Sequence, residues 1–69
     1  MVKVGDRIEL VKTTSVKLKK GDIGDVVKIE RTGTQQYIVW VNWVDKETIA
    51  LIEGEDQFKV IQKKKSKEN

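Results

Sequence analysis

The sequence predicts an all-β fold, a small five-stranded barrel, on three observations. Valine and isoleucine together number seventeen, against three leucines and one alanine, and β-branched side chains favour a pleated backbone over a helix. Apolar and polar residues alternate over five short segments, which is the pattern of strands that are buried on one face. Sixty-nine residues allow one small domain, and five strands in so short a chain leave exposed edges unless the sheet closes on itself.

The first strand and the loop after it can be read from their apolar positions. The strand covers residues 7–12 and is expected to turn Ile8 and Leu10 toward the core. A polar loop over residues 13–20 follows. This loop is long enough to fold back over one end of the barrel, with Leu18 as its anchor.

The second and third strands form the centre of the predicted sheet. They cover residues 25–31 and 36–43 and are expected to pair antiparallel across the turn at 32–34. Gly24, just before the second strand, indicates a bulge or a close approach of another backbone. The third strand is apolar on both parities until Asn42, as in a strand that is buried on two sides or reserves one face for a partner.

The last two strands complete the barrel. They cover residues 48–52 and 57–61, with a tight acidic turn between them. The barrel domain therefore spans residues 1–61, and residues 62–69 are expected to form a disordered lysine-rich tail, because they have too little apolar content to pack. The predicted core consists of the inward-facing positions Ile8, Leu10, Val27, Ile29, Val39, Val41, Ile49, Leu51, Phe58 and Val60.

Three stretches carry an ordered set of motifs: VGDRIELV at 4–11, KGDIGDVV at 20–27 and IALIEGEDQFKVI at 49–61. In this order they resemble a small uncharacterised prokaryotic family of SH3-like barrel proteins over residues 2–61, with a Gly-x-x-Gly-x-Val centre that KOW modules share. The family usually has Trp-Asp-Asn-Gly after its third strand, where this chain has Trp-Val-Asp-Lys at 43–46. The resemblance implies an SH3-like fold, and it implies no activity.

The composition argues against an enzyme. The chain has no histidine and no cysteine, so it lacks an imidazole base and a thiolate nucleophile. No cofactor is expected. A metal site is not expected either, because the carboxylates lie in turns where they bond backbone amides and show no calcium-loop spacing; these carboxylates are Asp22, Asp25, Glu53, Glu55 and Asp56.

The net charge of +3 comes entirely from the tail. Residues 1–20 carry six bases and two acids, whereas residues 21–61 carry four bases and eight acids. A basic footprint is therefore expected in the first third of the chain and in the tail. Its candidate binding residues are Lys12, Lys17, Lys19 and Lys20 around the long loop and Lys63, Lys64 and Lys65 in the tail.

Lysines and an outward tryptophan suggest nucleic-acid binding as the first hypothesis. Lysines would contact the phosphates of DNA or RNA without reading sequence, and Trp40 would stack on a base. The alternative is a protein-interaction adaptor, in which Trp40 and Ile38 take a peptide or a second copy of the chain. Interpretations without a binding role also remain open: the lysines are simply solvated in a loop, Trp40 covers a second small core under the loop, or the domain has no ligand. Trp43 is interpreted as packing.

The N-terminus lacks the apolar core of a signal peptide, and no apolar run approaches the roughly 20 residues of a membrane helix. A cytoplasmic protein without a membrane partner is therefore expected.

Overall fold

The chain forms one antiparallel sheet. The computed structural model describes residues 2–33 and 36–63. The five strands in these ranges are β1 Arg7–Lys12, β2 Ile23–Arg31, β3 Tyr37–Trp43, β4 Thr48–Ile52 and β5 Gln57–Gln62, and their order in the sheet is β4-β3-β2-β1-β5. The predicted all-β class and the five predicted strands are confirmed. The described residues contain no helix that is long and apolar enough to cross a membrane.

Among the described residues, backbone hydrogen bonds do not close the five predicted strands into a barrel, and the strands form one open sheet. β4 and β5 are the two edges of the sheet. The short turn between them is tied by a side chain, because Asp56 Oδ2 accepts a 2.9 Å hydrogen bond from the backbone N–H of Ile52. Two backbone hydrogen bonds to the carbonyl oxygen of Ile52, from Glu55 and Asp56, tie the same turn.

A bulge in β2 decides which of its two valines is buried. The pairing of β2 with β3 shifts by one residue between Val26 and Lys28. Val26 and Ile29 consequently face the same side of the sheet, where Val26 is buried and Ile29 packs against the core, whereas Val27 is 48% exposed. The prediction of Val27 as a core residue is therefore wrong, because strict alternation cannot count the extra residue of a bulge.

Gly24 lies where β2 passes closest to β3. A Cβ atom at this position would stand 2.5 Å from Val41 Cγ1 and 2.9 Å from the backbone oxygen of Asn42. The strands can therefore adopt this spacing because residue 24 has no side chain. The predicted close approach is confirmed, while the bulge lies farther along the strand.

The core fills the inner face of the sheet. Apart from Val27, every predicted core residue is buried or packs against the buried cluster. Leu18 joins this core as the predicted anchor of the loop. Trp43 is also buried, and its Nε1 donates a 3.0 Å hydrogen bond to the carbonyl oxygen of Ile49, so its predicted packing role is confirmed. The buried cluster is Ile8, Leu10, Leu18, Val26, Val39, Val41, Trp43 and Leu51.

The bulge predicts different costs for two adjacent, chemically identical substitutions. Val26→Ala is expected to lower the free energy of unfolding by about 2 kcal/mol, because it leaves a cavity in the core. Val27→Ala removes the same atoms from an exposed side chain and is expected to cost less than half as much. Urea unfolding of the two variants measures the difference, and equal costs would contradict the bulge.

Candidate functional site

The loop at residues 13–20 is anchored at its start by one buried carboxylate. Asp56 Oδ1 accepts hydrogen bonds from the Thr13 hydroxyl at 2.8 Å and from the backbone N–H of Thr14 at 3.2 Å. Asp56 is itself 9% exposed. Together with the buried Leu18, this carboxylate fixes the loop against the turn between β4 and β5.

A second carboxylate anchors the end of the loop. Asp22 Oδ2 accepts hydrogen bonds from the backbone N–H of Lys19 at 3.0 Å and from Lys46 Nζ at 2.7 Å. The hydrogen bond from Lys46 lowers the pKa of Asp22 most, and the backbone N–H of Lys19 lowers it further. Lys17 Nζ also forms a 3.2 Å ion pair with Glu47, so the loop is held to the β3–β4 turn as well.

Three of the predicted binding lysines flank the base of this loop. Two backbone hydrogen bonds, each 2.8 Å long, join Leu10 of β1 to residues 21–22 at the loop's end. Lys12 lies just beyond this pairing on β1, and Lys19 and Lys20 lie just before it on the loop. All three lysines are exposed, and in the part of the chain that the structure describes none of their side chains forms a hydrogen bond or an ion pair, although the charge of Lys19 helps to lower the pKa of Asp22. We call these three residues the lysine cluster.

Elsewhere on the sheet, three basic side chains are paired with carboxylates. Arg7 makes two hydrogen bonds to Asp25, at 2.9 and 3.1 Å, and this contact raises the pKa of Arg7. Further ion pairs join Lys28 to Glu30 at 3.2 Å and Lys59 to Glu9 at 3.7 Å. Residues 1–61, whose charges sum to zero, thus contain several local ion pairs. The side chains of the lysine cluster take part in none of them.

Trp40 lies on the outer face of the sheet, opposite to Val39 and Val41 of the core. It is partly buried, and its Nε1 donates a 2.9 Å hydrogen bond to Glu30 Oε1. This hydrogen bond is the first cause of the lowered pKa of Glu30, and Lys28 is the second. Within the described ranges, no hydrogen bond or ion pair connects Trp40 to the 13–20 loop.

An apolar strip crosses the outer face of β3 and β4. In the register of these strands Trp40 lies opposite Ala50, and Ile38 lies opposite Ile52. All four side chains are partly buried. We call these four residues the outer strip. Because β4 is an edge strand, the outer strip reaches an open edge of the sheet.

A pocket of about 540 Å³ lies on the other side of the sheet, and sequence reasoning missed it. The pocket lies between two halves of the sheet, one formed by β1 and β5 and the other by β2 and β3. The first half contributes Phe58, Val60 and Lys63, and the second contributes Ile29, Tyr37 and Val39. Val2 and Glu53 complete the lining. The available signal was Tyr37, which shares the inward parity of Val39. Lys63, predicted as a binding residue, lies at this pocket, whereas Lys64 and Lys65 lie outside the described residues.

Comparison with models of protein families, with curated proteins and with solved structures finds no match for this chain. The class that the fold defines is a small all-β protein with one five-stranded antiparallel sheet. The resemblance to the SH3-like family stays a prediction. Among the described residues, no group of three or more acidic side chains is placed to hold a metal ion.

The anchor at Asp22 predicts a loss of stability in acid. A lowered carboxyl pKa stabilises the folded state above the unfolded pKa of about 3.9, and this contribution is lost as the pH falls through the lowered value. Asp22→Asn is therefore expected to destabilise the protein near neutral pH, and its difference from the parent is expected to shrink below about pH 4. Urea unfolding at a series of pH values measures the difference.

Asp45→Asn is the matched control, since the exposed Asp45 forms no ion pair within the described residues. Its difference from the parent is expected to be small across the same pH range. An Asp22→Asn difference that does not change with pH would contradict the role of the Asp22 anchor.

Proposed function

We propose that this protein is a non-enzymatic binding module that contacts DNA or RNA weakly and without strong sequence preference. The observation that carries the proposal is that Lys12, Lys19 and Lys20 flank the anchored base of the 13–20 loop, are exposed, and form no ion pair in the described part of the chain. Phosphates of a nucleic-acid backbone would pair with these lysines.

The same proposal assigns the sheet to the SH3-like barrels. Three features support this assignment: the order β4-β3-β2-β1-β5, the long loop between β1 and β2, and the bulged β2 that pairs with both of its neighbours. In such an arrangement the loop projects from a rigid scaffold, which is where binding residues concentrate.

The loop anchors reduce the cost of binding at the lysine cluster. Its backbone is already ordered by Asp22, Asp56 and Leu18, so contact with phosphates would order lysine side chains and little else. Lys17 contributes less, because it is paired with Glu47 at 3.2 Å. Trp40 is not assigned to this contact, since its indole N–H is bonded to a carboxylate on the outer face.

Removal of two cluster lysines is expected to weaken nucleic-acid binding in a salt-dependent way. Fluorescence anisotropy with single- and double-stranded oligonucleotides, from about 50 to about 200 mM salt, gives the affinity and its salt slope. For Lys19→Gln with Lys20→Gln, the slope is expected to fall by about 2, roughly one for each lost phosphate contact.

The matched control is Lys28→Gln with Lys59→Gln, which removes the same charge from lysines that already pair with Glu30 and Glu9. This control is expected to leave the slope nearly unchanged. Absence of binding by the parent at the lowest salt, or equal losses in both double variants, would contradict the proposal.

The outer strip favours a second candidate function, binding of a peptide or of a second copy of the chain. Trp40, Ile38, Ala50 and Ile52 form a continuous apolar surface that reaches the open edge of β4. An edge strand can add a strand from another chain, and apolar side chains beside that edge would strengthen the contact.

Self-association through the outer strip is expected to depend on the apolar area of Trp40. Sedimentation equilibrium would show a mass that rises toward that of a dimer with concentration, and Trp40→Ala would abolish this rise. Trp40→Phe keeps an aromatic ring and removes the hydrogen bond to Glu30, so it should largely retain association. A monomeric parent at high micromolar concentration would exclude the homodimer.

A further inference from the structure

The pocket between the two halves of the sheet has the size of a ligand site. Its volume is about 540 Å³, and small-molecule sites range over roughly 300–1,000 Å³. Two aromatic rings, Tyr37 and Phe58, line it together with aliphatic side chains from β2, β3 and β5. The nearby Val39 is 2% exposed, so the lining continues directly into the core.

The pocket is an open cleft whose lining is mainly apolar. Apolar side chains that remain open to water there forfeit burial and dispersion contacts. Here Ile29, Phe58 and Val60 pack against the core on one side and remain partly exposed toward the pocket. An apolar ligand body would complete the burial of these side chains.

The charges at the rim indicate the sign of the ligand. Lys63 lines the pocket and forms no ion pair with the described residues. The Arg31 guanidinium lies 5.8 Å from the centre of the Tyr37 ring, which itself lines the pocket. Glu53 is the opposing carboxylate in the lining. The lining itself holds one cation and one anion, and Arg31, outside the lining beside Tyr37, adds a second cation that favours a ligand with a negative head.

We propose that this pocket binds a small amphipathic carboxylate. The apolar body would lie between Tyr37 and Phe58, and the carboxylate would lie at the rim near Lys63 and Arg31. This proposal is independent of nucleic-acid binding, because the pocket shares no residue with the lysine cluster at the base of the 13–20 loop.

Titration of the full chain with octanoate, followed by amide NMR shifts, tests the proposal. Octanol and octylamine carry the same alkyl chain with a neutral or a positive head, so they separate the apolar contribution from the charge contribution. Octanoate is expected to shift the amides of Tyr37, Phe58 and Val60 saturably. It is expected to bind about two- to five-fold more tightly than octanol, as for one exposed ion pair, and octylamine is expected to bind most weakly.

Two substitutions at the rim should change octanoate affinity in opposite directions. Lys63→Gln removes the attraction and is expected to weaken binding about two- to five-fold, whereas Glu53→Gln removes a repulsion and is expected to strengthen it. Lys59→Gln is the matched control, because Lys59 lies on β5 but pairs with Glu9 on the outer face. It is expected to leave octanoate affinity nearly unchanged.

Several results would overturn the proposal. Absence of saturable shifts at the pocket residues would exclude a ligand of this kind. Equal affinity for octanoate, octanol and octylamine would exclude the negative head, as would a Lys63→Gln variant that binds octanoate like the parent. Neither rim substitution lies in the core, and the parent's amide spectrum provides the check that each variant is folded.

Discussion

The bend in β2 is the constraint on which the rest of the structure depends. This strand pairs with β1 through residues 23–25 and with β3 along almost its whole length. The missing side chain at Gly24 lets it pass close to β3, and the bulge at Val27 then redirects it. Beyond the bulge β2 follows β3 and leaves β1. The two halves of the sheet share one core near the bulge and separate into a pocket beyond it.

Two carboxylates give the long loop the order that its backbone cannot supply. Asp56 holds the start of the loop and Asp22 holds its end, each through backbone N–H groups that a loop otherwise leaves to water. These acids compensate for the absence of regular structure in the segment. The carboxylates of Asp22 and Asp56 are thus engaged by backbone amides of the loop, while the lysine side chains of the cluster remain exposed.

The outer strip and the pocket are separated by the sheet itself. The lysine cluster lies at the base of the loop, the outer strip lies on the outer face of β3 and β4, and the pocket opens between the halves on the inner side. The lysine cluster is cationic, the outer strip is apolar, and the pocket is apolar with a charged rim. Each surface therefore suits a different class of ligand.

The sequence by itself determined the strands, the antiparallel pairing of the second with the third and nearly all of the core, because alternation and turn residues act over a few positions. It also excluded imidazole and thiolate chemistry by composition alone. Only the tertiary structure decided that Val26 rather than Val27 is buried, which lysines form ion pairs, and where a pocket opens. Those outcomes depend on one inserted residue in β2 and on contacts between segments distant in the chain, and local patterns do not record either.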